Sequence, residues 1–263
     1  MDLGLKGKVA MVAGASKGLG YAVARALAAE GVKVSVSSRN EASVSEAAKK
    51  IAAETYMDTL GMAADVKSVE SLTAWHARTI EKFGGVDLLY VNAGGPPAGL
   101  TLSFDDEVWK TTFDQLVLSA VRMVRLAVPS MKSRGGGAIV VASSTTVKEP
   151  VPNLALSNIV RSSVSALSKT LANELAADNI RVNQLMPGRI DTDRVRELDA
   201  IRGKAIGASP EDVRAMWAQT MPLGRYGKPE EFAAGAVFLF SDAAKYITGA
   251  SLQIDGGMIK GVL

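Results

Sequence analysis

The 263-residue chain contains no cysteine and a single histidine, His76. Without thiols it can form neither a disulfide nor a thiolate metal site, and this absence is typical of proteins from reducing compartments. No group of His, Asp and Glu residues has the spacing of metal ligands, so we expect no metal. His76 lies in the helical pattern of residues 71–82, where we expect a structural or solvent-exposed role.

Long apolar runs and clusters of one charge are also absent. No uncharged stretch reaches the ~18 residues that indicate a membrane-spanning helix. The formal net charge is +3, and Lys and Arg are interspersed with Asp and Glu. This pattern favours neither nucleic acid nor a membrane surface as a partner. The first residues lack the basic and apolar segments of a signal peptide, so we expect a soluble, cytoplasmic protein.

The composition that remains is that of a globular protein. Hydrophobic residues make up 48% of the chain and charged residues 22%, so a large core can be buried. No Pro/Gly/Ser-rich linker divides the sequence. We therefore predict a single domain over residues 1–263.

Short apolar, β-branched runs alternate with amphipathic helical patterns along the chain. Leu19, Val23 and Leu27, for example, share one face of a predicted helix that ends before Gly31. Runs that are almost continuously apolar indicate strands covered on both faces, as in a parallel sheet between helices. The pattern predicts a doubly wound α/β (Rossmann-type) domain with seven parallel strands, at 9–13, 32–37, 60–64, 87–91, 138–142, 181–186 and 252–254.

The segment 192–226 departs from this alternation because it is charged and irregular. Ser209-Pro210 is typical of a helix start, and Met216, Trp217 and Met221 are bulky apolar residues. An insertion before the last helix would lie near the carboxyl ends of the strands, where ligands bind in this architecture. We predict a substrate lid; a pair of surface helices without a gating role is the alternative.

A glycine-rich turn, Gly14-Ala15-Ser16-Lys17-Gly18-Leu19-Gly20, directly follows the first predicted strand and precedes a helix. Glycines allow the backbone to turn sharply and approach a pyrophosphate, while the N–H groups of the new helix face its charge. The alternative is a turn that merely connects strand and helix. The strand-turn-helix context favours a dinucleotide site.

The end of the second strand indicates which dinucleotide is bound. An NAD site usually has an acid there that binds the ribose 2′-hydroxyl, whereas this chain has Ser38 and Arg39 and no acid before Glu41. Arg39 and Lys17 would attract a 2′-phosphate, and Ser38 can donate a hydrogen bond to it. We predict NADP(H), the alternative being that Arg39 is only a solvated residue.

Motifs in all parts of the chain recur in the order that is found in one family. They are Gly14 to Gly20, Asp65-Val66, Asn92-Ala93-Gly94-Gly95, Ser144, Pro187-Gly188 and Asp255-Gly256-Gly257. Over nearly its whole length the chain resembles the short-chain dehydrogenase/reductase family, in particular its 3-oxoacyl-ACP reductases. The resemblance implies a contact of Asp65, with Val66 beside it, to the adenine. It implies further that the turn from Asn92 through Ala93 to Gly94 lines the cofactor, and that Pro187, Gly188, Ile190 and Thr192 border the nicotinamide.

The same resemblance implies a changed proton-transfer site. The family has a serine, a tyrosine thirteen residues later and a lysine four residues beyond it, and counting from Ser144 places Ser157 and Arg161 at those positions. The family's asparagine falls at about Leu116, beside Gln115. The chain is thus a divergent member without the Tyr-x-x-x-Lys pair. Its candidate catalytic residues are Ser144, Ser157, Asn158 and Arg161, with Arg161 also holding the cofactor ribose.

A serine is a much poorer acid than a tyrosine, and an arginine cannot relay protons. The proton could come from Lys148 or Glu149, or from a water held by Ser144, Ser157 and Asn158; an iminium substrate would need none. Alternatively, Ser157, Asn158 and Arg161 pack a helix or a subunit interface.

The predicted function is an NADP(H)-dependent oxidoreductase that transfers hydride to or from the carbonyl or alcohol of a small, mostly apolar substrate. The lid residues and Pro96-Pro97 motivate this choice of substrate. An NADPH-dependent imine reductase and an NADP(H)-binding protein without turnover are the alternatives. The family resemblance also implies a homotetramer or homodimer, formed through helices at 104–131 and 154–177.

Overall fold

Seven parallel strands form the central sheet of the computed structural model, which describes residues 2–262. Their order across the sheet is β3-β2-β1-β4-β5-β6-β7, with helices on both sides, as in a single-domain Rossmann fold. The strands are β1 Val9–Ala13, β2 Lys33–Ser38, β3 Thr59–Ala63, β4 Leu88–Val91, β5 Gly137–Ala142, β6 Ile180–Pro187 and β7 Ser251–Ile254. The predicted fold and all seven predicted strands are confirmed. The first and last residues of each strand agree with the prediction to within one residue.

The helices cover the two faces of this sheet. They are α1 Gly18–Ala29, α2 Glu41–Thr55, α3 Val69–Phe83, α4 Asp106–Phe113, α5 Ser119–Ser133, α6 Ala155–Leu175, α7 Asp193–Ile206, α8 Pro210–Thr220 and α9 Pro229–Phe240. Helices α1, α2 and α9 pack in one apolar cluster with alternate residues of the strands. Helices α3, α5 and α6 pack against the opposite face. Both faces are therefore buried, which explains the almost continuous apolar runs of the central strands.

The reversal of strand order between β1 and β4 positions the ligand site. Strand β1 pairs with β2 on one side and β4 on the other, so successive crossovers leave in opposite directions. Their divergence opens a crevice at the carboxyl ends of the strands. The turns after β1, β4, β5 and β6 meet there.

The two long helices expected at 104–131 and 154–177 differ slightly from the prediction. Asp105 caps α4 with its side chain, and a π-helical turn, Asp114–Leu118, joins α4 to α5. Helix α6 ends at Leu175 and continues into a 3₁₀ turn. A π-helical turn adds a residue to the helix and redirects the side chains around it, often next to a functional site.

The segment 192–226 consists chiefly of helices α7 and α8. Helix α8 begins at the predicted place, where Ser209 and Asp212 cap each other's backbone. The buried Asp199 carboxylate accepts hydrogen bonds from Arg189, at 2.9 Å, and from the Tyr226 hydroxyl, at 2.9 Å. A buried carboxylate needs such partners, so these contacts hold α7 against the domain.

Two features that the sequence does not predict are also missing from residues 2–262. None of the helices in this range is both long and apolar enough to cross a membrane. Nor does the range contain a cluster of three or more His, Asp and Glu residues that could hold a metal ion.

Candidate active site

A cleft of about 580 Å³ lies at the carboxyl ends of β1, β4, β5 and β6. The glycine turn and Arg39 line one part of it, and the turn after β5 and the start of α6 line another. Helices α7 and α8 contribute further side chains, among them Arg194 and Trp217. The residues that line it from the predicted set are Lys17, Gly18, Leu19, Gly20, Arg39, Asn92, Ala93, Gly94, Ser144, Ser157, Arg161, Pro187, Gly188, Ile190 and Thr192.

The glycine turn brings the backbone close to the cleft. A Cβ atom on Gly20 would lie 2.3 Å from the carbonyl oxygen of Gly14, so only glycine allows α1 to start this close to β1. Gly14 and Gly18 have φ angles of +63° and +62°, which favour glycine. Among residues 2–262 no side chain caps the start of α1, so its first N–H groups are available to an anion.

Asn92 holds the glycine turn in place from the neighbouring strand. Its side-chain amide donates hydrogen bonds to the carbonyl oxygens of Ala13, at 3.3 Å, and of Gly14, at 3.4 Å. The Gln115 amide, from the π-helical turn, donates to the Gly94 carbonyl oxygen at 2.8 Å. Leu116, at the position of the family's asparagine, is buried and apolar. Its side chain offers the cleft no hydrogen bond.

The three residues that we predicted to bind a 2′-phosphate, Lys17, Ser38 and Arg39, differ in their surroundings. Arg39 lines the cleft, and no carboxylate pairs with it among residues 2–262. Lys17 forms an exposed ion pair with Asp193, at 3.0 Å. The Ser38 hydroxyl donates to the Asn40 carbonyl oxygen at 3.3 Å. Of the predicted phosphate ligands, Arg39 is thus the one whose charge is available.

Five predicted cofactor residues have other positions. Gly14 and Ser38 flank the cleft without lining it, and Ser16 lines an adjoining groove instead. Asp65 and Val66 follow β3; the Asp65 carboxylate accepts a hydrogen bond from the Lys67 N–H, at 3.0 Å. Their predicted contact with an adenine stays a prediction.

Four hydroxyl side chains lie close together where β5 ends and α6 begins. Ser144 starts a 3₁₀ turn, and its Oγ accepts a hydrogen bond from the Thr146 N–H, at 3.2 Å. The Thr145 hydroxyl donates to the Pro187 carbonyl oxygen, at 3.3 Å, and anchors the turn to β6. The Thr146 and Ser157 hydroxyl oxygens lie 3.2 Å apart. Ser144, Thr146 and Ser157 all line the cleft.

Arg161 places a positive charge beside these hydroxyls. Its Nη1 donates long hydrogen bonds, both of 3.4 Å, to the carbonyl oxygens of Ala142 and Ser143. Burial lowers the pKa of Arg161 to about 10, and the nearby Tyr90 acts in the opposite direction. The guanidinium is therefore charged at neutral pH, and in the described part of the chain it has no carboxylate partner. A half-buried cation without a carboxylate partner in residues 2–262 favours an anion or a developing negative charge.

Tyr90 lies beneath this site, in the central strand β4. Its hydroxyl is buried and has no hydrogen-bond partner within residues 2–262. Burial raises the pKa of Tyr90, against the opposing effect of the Arg161 charge. The phenol is therefore neutral. Because Tyr90 is fully buried, it cannot replace the family's catalytic tyrosine at the substrate.

Asn158, which we predicted as a catalytic residue, contacts the loop before α6. Its amide accepts a hydrogen bond from the Val151 N–H, at 3.2 Å, and donates one to the Val151 carbonyl oxygen, at 3.0 Å. Both polar atoms are thus used to hold the loop before α6, and the side chain does not line the cleft. We therefore exclude Asn158 from the proposed catalytic group. Lys148 and Glu149 are exposed and also lie outside the cleft.

The lid segment contributes side chains that the sequence did not indicate. Arg194 donates to the Pro96 carbonyl oxygen at 3.2 Å and pairs with Glu197 at 2.9 Å. The Arg189 guanidinium stacks on the Trp217 ring, at 3.9 Å from its centroid. Of the three apolar residues that we expected to contribute, Trp217 lines the cleft. Met216 faces a different side of α8 from Trp217 and is exposed. Met221 follows the end of α8 and is buried without lining the cleft.

Sequence and structure comparisons extend over the whole cleft. A family model described as Enoyl-(Acyl carrier protein) reductase matches residues 14–259, which include all the cleft residues. Dehydrogenase/reductase SDR family member 4 of Bos taurus is 36% identical over 258 residues, which is 97% of this chain and 88% of that protein.

Two solved structures are similar over almost the entire chain. L-sorbose reductase from Gluconobacter frateurii, in complex with NADPH and L-sorbose, has a TM-score of 0.95 and 35% identity, with both chains covered completely. YwfH, an NADPH-dependent reductase involved in bacilysin biosynthesis, has a TM-score of 0.92 and 28% identity, over 97% of this chain and 99% of that one.

Proposed function

Because the chain belongs to the short-chain dehydrogenase/reductase family, we propose that it is an NADP(H)-dependent oxidoreductase acting on the carbonyl or alcohol of a small, mostly apolar substrate. The observation that carries this proposal is the single cleft that joins the glycine turn and Arg39 to Ser144 and Arg161.

The glycine turn fits a dinucleotide pyrophosphate. A side chain on Gly20 would collide with the Gly14 carbonyl, and the uncapped N–H groups of α1 have no protein acceptor that competes for them. Gly14, Ser16, Lys17, Gly18, Leu19 and Gly20 are the proposed pyrophosphate residues. Asp65 and Val66 are proposed near the adenine, and Asn92, Ala93, Gly94, Pro187, Gly188, Ile190 and Thr192 along the nicotinamide half.

Arg39 supports the choice of NADP(H) over NAD(H). Its guanidinium is unpaired at the cleft, and a carboxylate that would bind a ribose 2′-hydroxyl is lacking at this strand end. Lys17 and Ser38 are proposed as additional phosphate ligands. The L-sorbose reductase and YwfH comparisons also involve NADPH.

Replacing Arg39 with alanine is expected to weaken NADPH binding by about 10- to 100-fold, the effect of losing one charge-assisted hydrogen bond of ~1.5–3 kcal/mol. NADH, which lacks the phosphate, should bind the variant as well as it binds the wild type. Cofactor fluorescence titration measures both affinities. The exposed Arg78→Ala on α3 is the matched control, and equal losses for both cofactors would contradict the assignment.

When bound, the nicotinamide supplies or accepts a hydride at the substrate carbon. The hydroxyls of Ser144 and Ser157 can donate hydrogen bonds to the substrate oxygen, and the Arg161 charge stabilises the negative charge that develops there. Arg161 can also bind the ribose hydroxyls. The apolar side chains of Val151, Leu154 and Met258 line the same cleft and favour an apolar substrate.

Neither Ser157 nor Arg161 can act as the acid of the reaction. A water molecule in the cleft is the proposed proton source, since Lys148 and Glu149 lie outside it. General acid catalysis contributes about 10²–10⁴-fold to such reactions. We therefore propose an atypical active site that reduces ketones slowly.

Ser144→Ala is expected to lower kcat for ketone reduction roughly 100-fold, because a preorganised donor to the reacting oxygen is lost. NADPH affinity should stay unchanged. Ser162→Ala is the matched control, since Ser162 lies on the exposed side of α6. An unchanged kcat in Ser144→Ala would reject this role of the serine.

The positive charge of Arg161, which has no carboxylate partner in residues 2–262, favours carbonyl reduction over imine reduction. A protonated imine is a cation and would be repelled by the guanidinium, whereas a carbonyl that gains negative charge is attracted. Steady-state rates with matched cyclic ketones and imines test this difference. NADPH binding without turnover of any ketone, imine or alcohol would indicate the non-catalytic alternative.

We propose gating for the segment 192–226, and self-association through exposed apolar residues of α4 to α6. Arg194 bridges α7 to the Pro96 loop across the cleft, as a closed lid would. Phe113, Leu118 and Ile159 leave exposed apolar surface on α4, the π-helical turn and α6. This surface supports a homotetramer or homodimer.

A further inference from the structure

Ser157 differs from the other hydroxyl residues with assigned hydrogen bonds along α6. Ser162, Ser165, Ser168 and Thr170 each donate to the backbone carbonyl four residues earlier. Ser157 lies in the first turn, so the residue four positions before it, Asn153, is outside the helix. Asn153 has a φ of +61°, and its carbonyl accepts a hydrogen bond from the Gly99 N–H. The Ser157 hydroxyl is therefore not held by its own helix.

The side-chain partner of Ser157 is Thr146. The two oxygens lie 3.2 Å apart, and Thr146 and Ser157 are only 5% and 8% exposed. Each hydroxyl carries one proton. When Thr146 donates to Ser157, the proton of Ser157 is free to point into the cleft. Either hydroxyl can be the donor of this pair, and the arrangement with Thr146 as the donor is the one that lets Ser157 donate into the cleft.

The backbone fixes Thr146 independently of its side chain. The Thr146 N–H donates to Ser144 Oγ, and the preceding Thr145 hydroxyl is bound to the Pro187 carbonyl oxygen. The 3₁₀ turn consequently keeps its position relative to β6. Because Ser144 Oγ accepts this backbone hydrogen bond, its own proton is also free for a ligand. One turn thereby directs two hydroxyl donors, Ser144 directly and Ser157 through Thr146.

We propose that Thr146 is a positioning residue, which orients the Ser157 hydroxyl toward the oxygen of the carbonyl substrate. The inference rests on the proposed function and adds Thr146, a residue to which the proposed function assigns no role. Thr146 transfers no proton and breaks no bond. It holds Ser157 in the rotamer from which the Ser157 hydroxyl donates to the substrate oxygen. Together with Ser144 and Arg161, this hydroxyl stabilises negative charge on that oxygen.

The test is a double-mutant cycle on kcat for ketone reduction, with Thr146→Val, Ser157→Ala and the double variant. Thr146→Val keeps the shape of the side chain and removes the hydroxyl, and we expect kcat to fall about tenfold. Thr146→Ser restores the hydroxyl and should recover most of this loss. The double variant should be no slower than Ser157→Ala alone, because Thr146 acts through Ser157.

Affinity for NADPH and the thermal unfolding midpoint should change little in Thr146→Val, since its backbone contacts remain. Thr170→Val, on the exposed side of α6, is the matched control and should leave kcat unchanged. Losses that multiply in the double variant, or a loss that serine does not recover, overturn the positioning role. A wild type that reduces no ketone overturns the proposed function and this inference together.

Discussion

Gly20→Ala is expected to weaken NADPH binding by about 10²–10⁴-fold, which makes it the most damaging single substitution in the cofactor half of the cleft. The new Cβ would lie 2.3 Å from the Gly14 carbonyl oxygen, which is backbone and cannot rotate away. Helix α1 must then move away from β1, so its first N–H groups no longer converge on the pyrophosphate. Losing two such hydrogen bonds, each of ~1.5–3 kcal/mol, accounts for the range.

Isothermal titration with NADPH measures this effect, and the unfolding midpoint shows whether the variant is folded. Gly84→Ala is the control for loss of a glycine, because Gly84 ends α3 in open space with a φ of +80°. That variant should be slightly destabilised and should bind NADPH normally. Normal binding by a folded Gly20→Ala would show that the cofactor is bound elsewhere.

Introducing tyrosine and lysine together, as Ser157→Tyr with Arg161→Lys, is expected to raise kcat for ketone reduction by about 10²–10⁴-fold. The phenol would supply the acid that Ser157 cannot, and the nearby ammonium would make it easier to ionise. Ser157 lines the cleft, so a ring at this position is expected to extend into it. Arg161 already occupies the place from which a cation can act, so the framework around the pair is retained.

The pH dependence identifies the source of any gain. Reduction needs the protonated phenol, so kcat of the double variant should fall as the pH rises through the pKa of the new tyrosine. Wild-type kcat should stay constant up to about pH 10, the pKa of Arg161, because serine does not ionise in that range; the double variant should lose activity at a lower pH, since the ammonium favours the ionised phenol. Ser157→Tyr alone, with Arg161 retained, shows what the lysine contributes. A folded double variant that binds NADPH and gains no activity would contradict our view of the lost acid.

The strands could be predicted from the sequence because their signal is local. In β1, Val9–Ala13 is buried throughout, and the glycine turn follows at once, so the apolar run and its end mark the strand without reference to the rest of the fold. The start of α8 at Ser209-Pro210 is local for the same reason, since Ser209 and Asp212 cap each other within one turn.

The candidate site was less predictable where a role depends on contacts between distant segments. Asn158 directly follows Ser157, yet its side-chain amide forms hydrogen bonds with the backbone of Val151, in the loop before α6. Thr146 carried no signal of its own, and its importance depends on Ser157 from another element. Arg194 reaches Pro96, which is far from it in the sequence.

Sequence alone determined the order of elements, the glycine turn and the residues at 157 and 161, because periodicity and motif spacing are properties of neighbouring residues. Only the tertiary structure decided which side chains share the cleft. It also decided that the Asn158 amide bonds to the backbone of a loop, and that the charged Arg161 has no carboxylate partner in the described chain. The physical reason is that hydrogen-bond partners and burial are set by the packing of distant segments, and the pattern of neighbouring residues does not contain that packing.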